Sequence, residues 1–144
     1  MTSVQNASGG EAAQAAEASV YRASRQDKPW GHELIFAAVE GKYVGKIIHV
    51  TAGHSLSLQY HQQKEETISV ISGEALIQYG PSADKLTDEH FHVGDTIHLP
   101  PGALHRITAI CDLDFAEAST AAPGWREDVV RLEDRYGRTG TTAP

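Results

Sequence analysis

The sequence has little of what defines several large classes of protein. Its single cysteine, Cys111, cannot form an internal disulfide and cannot by itself supply a thiolate metal site, which suits a reducing compartment. No apolar run approaches the roughly 20 residues that a membrane-spanning helix needs, so we expect no membrane span. The first residues lack the basic start and apolar core of a secretory signal, so the expected compartment is the cytoplasm.

Positive charge is also scarce. The chain has 12 Lys and Arg against 19 Asp and Glu, which gives a formal net charge of −7. Because a negative surface repels phosphate, we expect neither a nucleic-acid partner nor an anionic membrane surface. Histidine, by contrast, is abundant, with eight in 144 residues. Since imidazole is the commonest protein ligand for transition metals, the question is whether any of these histidines converge.

Composition divides the chain into an extension, a domain and a tail. Residues 1–27 are rich in Ala, Ser, Gln and Glu and contain little to bury, so this segment is predicted to be a mobile extension. From residue 28 to residue 138, short runs of Val, Ile, Leu, Tyr and Phe are separated by Gly, Pro, Asp and Ser, which indicates a single domain. Residues 139–144 are expected to form a flexible tail.

The domain is predicted to be all-β. Nine short strands with turns between them, and no long helical pattern in the core, are typical of a small antiparallel β-barrel or sandwich. The charged stretch Arg126–Arg138 has its apolar residues spaced for a short helix or a docked edge segment. The predicted strands are Glu33–Val39, Tyr43–Val50, Ser55–His61, Glu66–Ile71, Glu74–Tyr79, Phe91–His92, Asp95–Leu99, Leu104–Ile110 and Leu113–Glu117.

Four polar side chains are predicted to converge on one metal ion. Gln59 and His61 are two residues apart on a predicted strand, so they face the same side. Glu66 begins the next strand and can lie opposite His61 across the hairpin. His105 follows the rigid corner Pro100–Gly102, whose backbone is preset by proline. Two imidazoles with amide and carboxylate oxygens suit Zn²⁺, Mn²⁺, Fe²⁺ or Ni²⁺.

The spacing of these residues resembles the two sequence motifs of the cupin superfamily. The first motif is present as Gly53, Gln59, His61, Glu66 and Gly73, with glutamine where the family usually has its first histidine. The second is complete as Gly94, Pro100, Gly102 and His105. The resemblance implies a small barrel of the jelly-roll type that binds metal through Gln59, His61, Glu66 and His105.

Within the cupins, the chain is similar to the type II mannose-6-phosphate isomerase domain, which also forms the C-terminal half of mannose-1-phosphate guanylyltransferases. Three segments carry this resemblance: Lys28–Gly31, Leu56–Gln59 and Asp128–Arg138. It implies an aldose–ketose isomerase for a sugar or sugar phosphate, with zinc as the first choice of metal. Departures at residues 62–64 and 67–68 alter the mouth of the pocket and leave the substrate open. The exposed strand edges of a small barrel favour a homodimer.

Candidate residues for the substrate follow from the same resemblance. Lys46, Arg106 and Arg131 match basic positions of the family, which implies that they supply positive charge for a phosphorylated substrate. Isomerisation also needs a base within hydrogen-bond reach of the substrate. The candidates are Glu65, His98, Lys46 and Arg106, and the sequence does not choose among them.

The sequence leaves two other functions open. One is a cupin oxygenase or lyase that uses Fe²⁺ or Mn²⁺ on a small organic acid, and the other is a non-catalytic sugar-binding or regulatory cupin. His90 and His92 form a second His-x-His pair beside a charged loop, so exposed positions are expected for both. The other three histidines, His32, His49 and His54, are expected to be ordinary surface or strand residues.

Overall fold

A computed structural model describes residues 15–142, which contain strands and no helix. The predicted all-β class is therefore confirmed. Within this range, no helix is long and apolar enough to cross a membrane. In chain order the strands are β1 Ser24–Lys28, β2 Gly31–Val39, β3 Tyr43–Val50, β4 Leu58–Tyr60, β5 Glu66–Ser72, β6 Ala75–Gly80, β7 Thr87–Phe91, β8 Thr96–Leu99, β9 Leu104–Ala109, β10 Leu113–Thr120 and β11 Val130–Glu133.

The strands form two antiparallel sheets. The first sheet has the order β1-β2-β3-β10-β5-β8, and the second has the order β11-β4-β9-β6-β7. Apolar side chains from both sheets form one core, which confirms the expected small jelly-roll barrel. The central members of this core are Ile48, Ile68, Ile77, Phe91, Ile107, Leu113 and Phe115.

Alternation along the strands decides which side chains enter this interior. On β10, Leu113 and Phe115 are buried, whereas Asp114 between them is only partly covered. Because successive residues of a strand face opposite sides, Glu117 shares the inward side with Leu113 and Phe115. A charged side chain is thereby carried into the barrel.

Two strands lie outside the nine that the sequence predicts. β1 begins at Ser24, within the segment expected to be an extension, and pairs with the start of β2. The chain reverses at Pro29 and Trp30, and at Gly31, which follows them, a side chain would lie 2.0 Å from the carbonyl oxygen of His49. β11 is an edge segment paired with β4, so the helix alternative for this stretch is wrong. Most of the expected extension, residues 1–14, lies outside the described residues, as does the end of the expected tail, residues 143–144.

Candidate metal centre

The four predicted ligands meet between the two sheets. Gln59 on β4 and His105 on β9 are direct cross-strand partners. His61 follows the end of β4, and Glu66 begins β5 in the opposite sheet. His61, Glu66 and His105 are only 6%, 3% and 3% exposed. The site is therefore a buried cluster that joins the two layers of the barrel.

The ligand atoms of three of these residues point at one another. Glu66 Oε1 lies 3.4 Å from His61 Nε2 and 3.5 Å from His105 Nε2. All three atoms are within 4.8 Å of one another. The two imidazole rings are tilted by 49°, with centroids 5.6 Å apart. This convergence is the arrangement that a single ion requires.

Hydrogen bonds on the far side of each ring fix the tautomers of the two histidines. His61 Nδ1 donates to the carbonyl oxygen of Asp128 at 2.6 Å, and His105 Nδ1 donates to that of Ala103 at 2.9 Å. Since a carbonyl only accepts, each Nδ1 carries a proton and each neutral ring has its lone pair at Nε2. When both rings are neutral, two lone pairs and a carboxylate oxygen face one another. A metal cation fits this donor set, and the backing carbonyls are typical of histidine ligands.

Gln59 completes the set through its amide. Ser57 Oγ lies 2.5 Å from Gln59 Oε1, and Gln59 Nε2 lies 3.5 Å from His61 Nε2. A carboxamide binds metal through its oxygen, and turning this amide by 180° directs Oε1 toward His61. The buried Ser57 hydroxyl accepts a hydrogen bond from Nε2 in that orientation. Gln59 therefore fits as a fourth, neutral oxygen ligand.

A buried lysine and a second glutamate lie behind Glu66. Lys64 Nζ is 3.4 Å from Glu66 Oε2 and 3.6 Å from Glu117 Oε2. Burial by itself lowers the pKa of Lys64, but the two carboxylates outweigh it and raise this pKa above its ordinary value. Lys64 is therefore a fixed positive charge beside the candidate metal site.

The two glutamates respond to this environment in opposite directions. Burial by itself raises the pKa of Glu66, but His105, His61 and Lys64 hold it well below its ordinary value. Burial, and then repulsion from Glu66, raise the pKa of Glu117. The Oε2 atom of Glu117 also has no hydrogen-bond partner. The pair therefore divides into an anionic Glu66 and a neighbouring Glu117 that retains its proton more readily.

A cavity of about 240 Å³ adjoins the cluster. Its wall carries Lys46, which pairs with Glu33 at 3.1 Å, and Lys28, which lies 3.9 Å from the same carboxylate. Arg131 also lines the cavity, and its buried Nε has no hydrogen-bond partner. The complete set of cavity-lining cations is Lys28, Lys46, Lys64, Arg126, Arg131 and Arg138. This wall can bind an anionic group of a small molecule.

Three sequence candidates lie outside the cavity. Arg106 follows His105 directly and therefore faces the other side of β9, where it bonds to Gln78 at 2.8 Å and Glu133 at 2.9 Å. Glu65 and His98 form a 2.8 Å pair whose side chains are 45% and 56% exposed. The structure thus brings Lys46 and Arg131 to the site and leaves these three elsewhere.

Sequence reasoning missed Lys64, Glu117 and Glu33, all of which line the cavity. Strand parity is the signal that finds Glu117, because it shares the buried side of β10 with Phe115. Lys64 follows the turn after His61, within residues 62–64, where the sequence departs from the family pattern. The turn offers no alternation from which its burial could be read.

Comparisons with known proteins show which proteins this chain is similar to. The profile of the family described as "Mannose-6-phosphate isomerase C-terminal" matches residues 12–134. The mannose-1-phosphate guanylyltransferase ManC of Salmonella typhimurium is 34% identical over 113 residues, which cover 77% of this chain and 22% of that protein. The chain therefore spans about a fifth of the length of the curated relatives that it matches.

Two solved structures share the fold. Oxalate decarboxylase from Bacillus subtilis, a protein with Mn(II) centres, aligns with a TM-score of 0.66 at 15% identity, over 76% of this chain and 30% of that one. The capsular polysaccharide assembling protein CapF from Staphylococcus aureus aligns with a TM-score of 0.62 at 17% identity, over 80% of this chain and 33% of that one. At such identities the likeness shows the fold alone.

Proposed function

Because the chain belongs to the mannose-6-phosphate isomerase C-terminal family of cupins, we propose that it is a metal-dependent aldose–ketose isomerase for a sugar or sugar phosphate. The observation that carries the proposal is the buried group His61, Glu66 and His105 beside a cavity lined by cations. A metal site can polarise the carbonyl group of a sugar, and an anion-binding wall in the same pocket can hold its phosphate.

Gln59, His61, Glu66 and His105 are the proposed metal ligands. The family resemblance favours zinc, and the mixed nitrogen and oxygen donors also suit manganese, iron or nickel. When bound, the metal acts as a Lewis acid that polarises a carbonyl oxygen. The protein's own part is to hold the donors in place through Asp128, Ala103 and Ser57.

Substrate binding is assigned to the cationic wall. Lys46 is held by Glu33, whereas Arg131 presents a buried Nε with no partner. A phosphate on the substrate would supply acceptors for Arg131 and would be attracted by Lys46. Lys28 and Arg138 add further positive charge to the wall. The local charge at the cavity thus has the opposite sign to the acidic chain as a whole.

Proton transfer is assigned to Glu117. Isomerisation removes a proton from the carbon beside the carbonyl and returns one to the neighbouring carbon. Glu117 lines the cavity, is buried, and has an oxygen without a hydrogen-bond partner. Its raised pKa suits a carboxyl group that takes up and returns a proton. It replaces Glu65 and His98, which lie on the surface, as the candidate acid–base residue.

A second candidate function uses the same wall differently. Arginine and lysine side chains bind carboxylates as well as phosphates. A metal-dependent lyase or oxygenase acting on a small organic acid would therefore fit the cavity and the same ligands. This alternative requires no sugar and is distinguished by its substrate and by oxygen consumption.

The test is turnover of mannose 6-phosphate by the zinc-loaded full chain, measured as ketose formation. We expect Glu117→Gln to lower kcat by about 10²- to 10⁴-fold, which is the usual contribution of a general acid–base group. Arg106→Gln serves as the matched control, because Arg106 lies outside the cavity, and should retain activity. Metal binding without ketose formation contradicts mannose 6-phosphate as the substrate, and oxygen uptake with an organic acid supports the second candidate.

A further inference from the structure

A second group of metal-binding side chains lies on the outer surface of the five-stranded sheet. Glu74 precedes β6, His90 lies on β7, and His92 follows the end of β7. Leu76 pairs with His90 and Ala75 pairs with Phe91, so Glu74 is brought beside His92. We propose that Glu74, His90 and His92 form a second binding site for a divalent transition metal. The proposal is independent of the buried centre and of the proposed reaction.

The three side chains converge on one point. Glu74 Oε1 lies 2.7 Å from His90 Nε2 and 3.8 Å from His92 Nε2. All three ligand atoms lie within 4.8 Å of one another. The imidazole rings lie nearly parallel, with centroids 4.5 Å apart and an interplanar angle of 26°. Two nitrogen donors and one carboxylate oxygen are thus arranged around a common position.

The local backbone explains why the rings share a direction. His90 and His92 are two residues apart at the end of an edge strand, and this spacing directs their side chains to one side. Asp95 Oδ2 accepts the backbone N–H of His92 at 2.8 Å and lies 3.9 Å from His92 Nδ1. A carboxylate behind the ring is a recurrent support for a histidine ligand. Here it directs Nε2 of His92 toward Glu74.

A simple ion pair accounts for less of this geometry. Glu74 Oε1 faces both imidazoles, and ion pairing with both would need two positively charged rings stacked 4.5 Å apart, which repel each other. A metal ion uses the lone pairs of both rings and the carboxylate. The side chains of His90, His92 and Glu74 are 49%, 62% and 42% exposed, so ions from solvent reach the site directly.

The surrounding charge favours a cation. Asp88 lies two residues before His90, on the same side of β7, and bonds to the uncharged side chain of Gln78, which leaves its negative charge in place. Asp95 adds a second carboxylate beside His92. The nitrogen-rich donor set selects zinc, nickel or copper over magnesium or calcium. The site has room for water on the metal and differs from the buried centre in both exposure and ligands.

The test counts zinc ions bound per full chain by equilibrium dialysis and elemental analysis. The double substitution His90→Gln/His92→Gln should bind one ion fewer than the unaltered chain. His32→Gln/His98→Gln removes two histidines outside the cluster and should bind the same number as the unaltered chain. The test measures the difference in bound zinc between each variant and the unaltered chain. It is therefore valid whether or not the buried centre binds its own metal. Equal counts in all three proteins overturn the proposal.

A second variant and a second measurement guard against misfolding. Glu74→Gln keeps both imidazoles and should weaken binding of the surface ion by about tenfold or more. Cu²⁺ added to the full chain should broaden the NMR signals of the His90 and His92 rings at substoichiometric amounts, before those of His32 and His98. Uniform broadening of all four rings contradicts a defined site. Circular dichroism of each variant verifies the β-structure.

Discussion

His61 Nδ1 donates a 2.6 Å hydrogen bond to the backbone carbonyl of Asp128, so a segment late in the chain orients a proposed metal ligand near its middle. The carboxylate of the same aspartate accepts the backbone N–H groups of Gln62, Gln63 and Lys64 at 2.7, 2.9 and 2.8 Å. Asp128 therefore holds both the imidazole and the turn that leads to Glu66.

Asp128→Ala should lower the free energy of unfolding by about 2 kcal/mol, because three backbone donors lose a charged acceptor. It should also weaken zinc binding by about tenfold or more, since the turn between two ligands is released. Urea unfolding and zinc titration measure the two effects. Asp84→Ala is the control, since Asp84 is exposed and bonds only within its own loop to Ser82. Equal losses in both variants contradict this account.

The pair of Asp134 and Arg138 predicts a dependence of stability on pH. Bonds from the Arg138 side chain hold the pKa of Asp134 below its ordinary 3.8, against the effect of burial. The pKa of Asp134 is lower in the folded chain than in the unfolded chain. The stability that the Asp134–Arg138 pair contributes is therefore complete above about pH 4, and it is lost as the pH falls through the pKa of the folded chain. We expect the free energy of unfolding, measured with urea, to fall more steeply below about pH 4 for the unaltered chain than for Asp134→Asn.

The matched control for this prediction is Asp27→Asn. Asp27 pairs with Arg25, but its side chain is 79% exposed, so solvent screens the pair. Its variant should follow the pH profile of the unaltered chain. If Asp134→Asn also follows that profile, the buried pair does not contribute as described.

Gly73 is predicted to tolerate alanine poorly for two separate reasons. It has φ of 86°, and a methyl group there would lie 2.1 Å from the carbonyl oxygen of Asp112. Gly53 has φ of 80° but nothing within 4 Å, so Gly53→Ala carries only the backbone cost. We expect Gly73→Ala to lose about 1–3 kcal/mol more than Gly53→Ala in urea unfolding. Equal losses of unfolding free energy in the two variants would show that the Asp112 carbonyl can move aside at no cost.

Arg131 should govern the affinity for a phosphorylated substrate. Its buried Nε has no partner in the cavity wall, so a phosphate is the group that it would bind. Arg131→Met should raise KM for mannose 6-phosphate by about tenfold or more with a smaller change in kcat. Arg106→Met, on the outer face of β9, should leave KM unchanged. A loss confined to kcat would instead indicate a role in the chemical step.

The convergence of the four proposed ligands could be predicted because turns fix the strand register. Gly73 ends β5, and the corner Pro100–Gly102 leads into β9, so the spacing between motif residues determines which side chains meet. A spacing of two residues also places Gln59 and His61 together without knowledge of the fold. These features are local, so they can be read directly from the spacing of residues in the sequence.

The sequence motifs could not predict which side chains line the cavity. Arg106 and Glu65 are each adjacent to a ligand, and a shift of one residue along a strand reverses the face. Strand β1 escaped detection because its residues, Ser24–Lys28, are polar and lie at a sheet edge, so no apolar alternation marks them. The burial of Lys64 depends on two carboxylates from other strands, which only the folded chain brings near.

The most direct test of the metal centre is anomalous diffraction from crystals of the full chain grown with zinc. Data collected on both sides of the zinc absorption edge locate the ion without assumptions about its ligands. We predict a peak bonded to Gln59, His61, Glu66 and His105 at about 2.0–2.2 Å, and its loss in His105→Ala crystals. A peak confined to the surface group of Glu74, His90 and His92, or no peak between the two sheets, would contradict the buried metal centre.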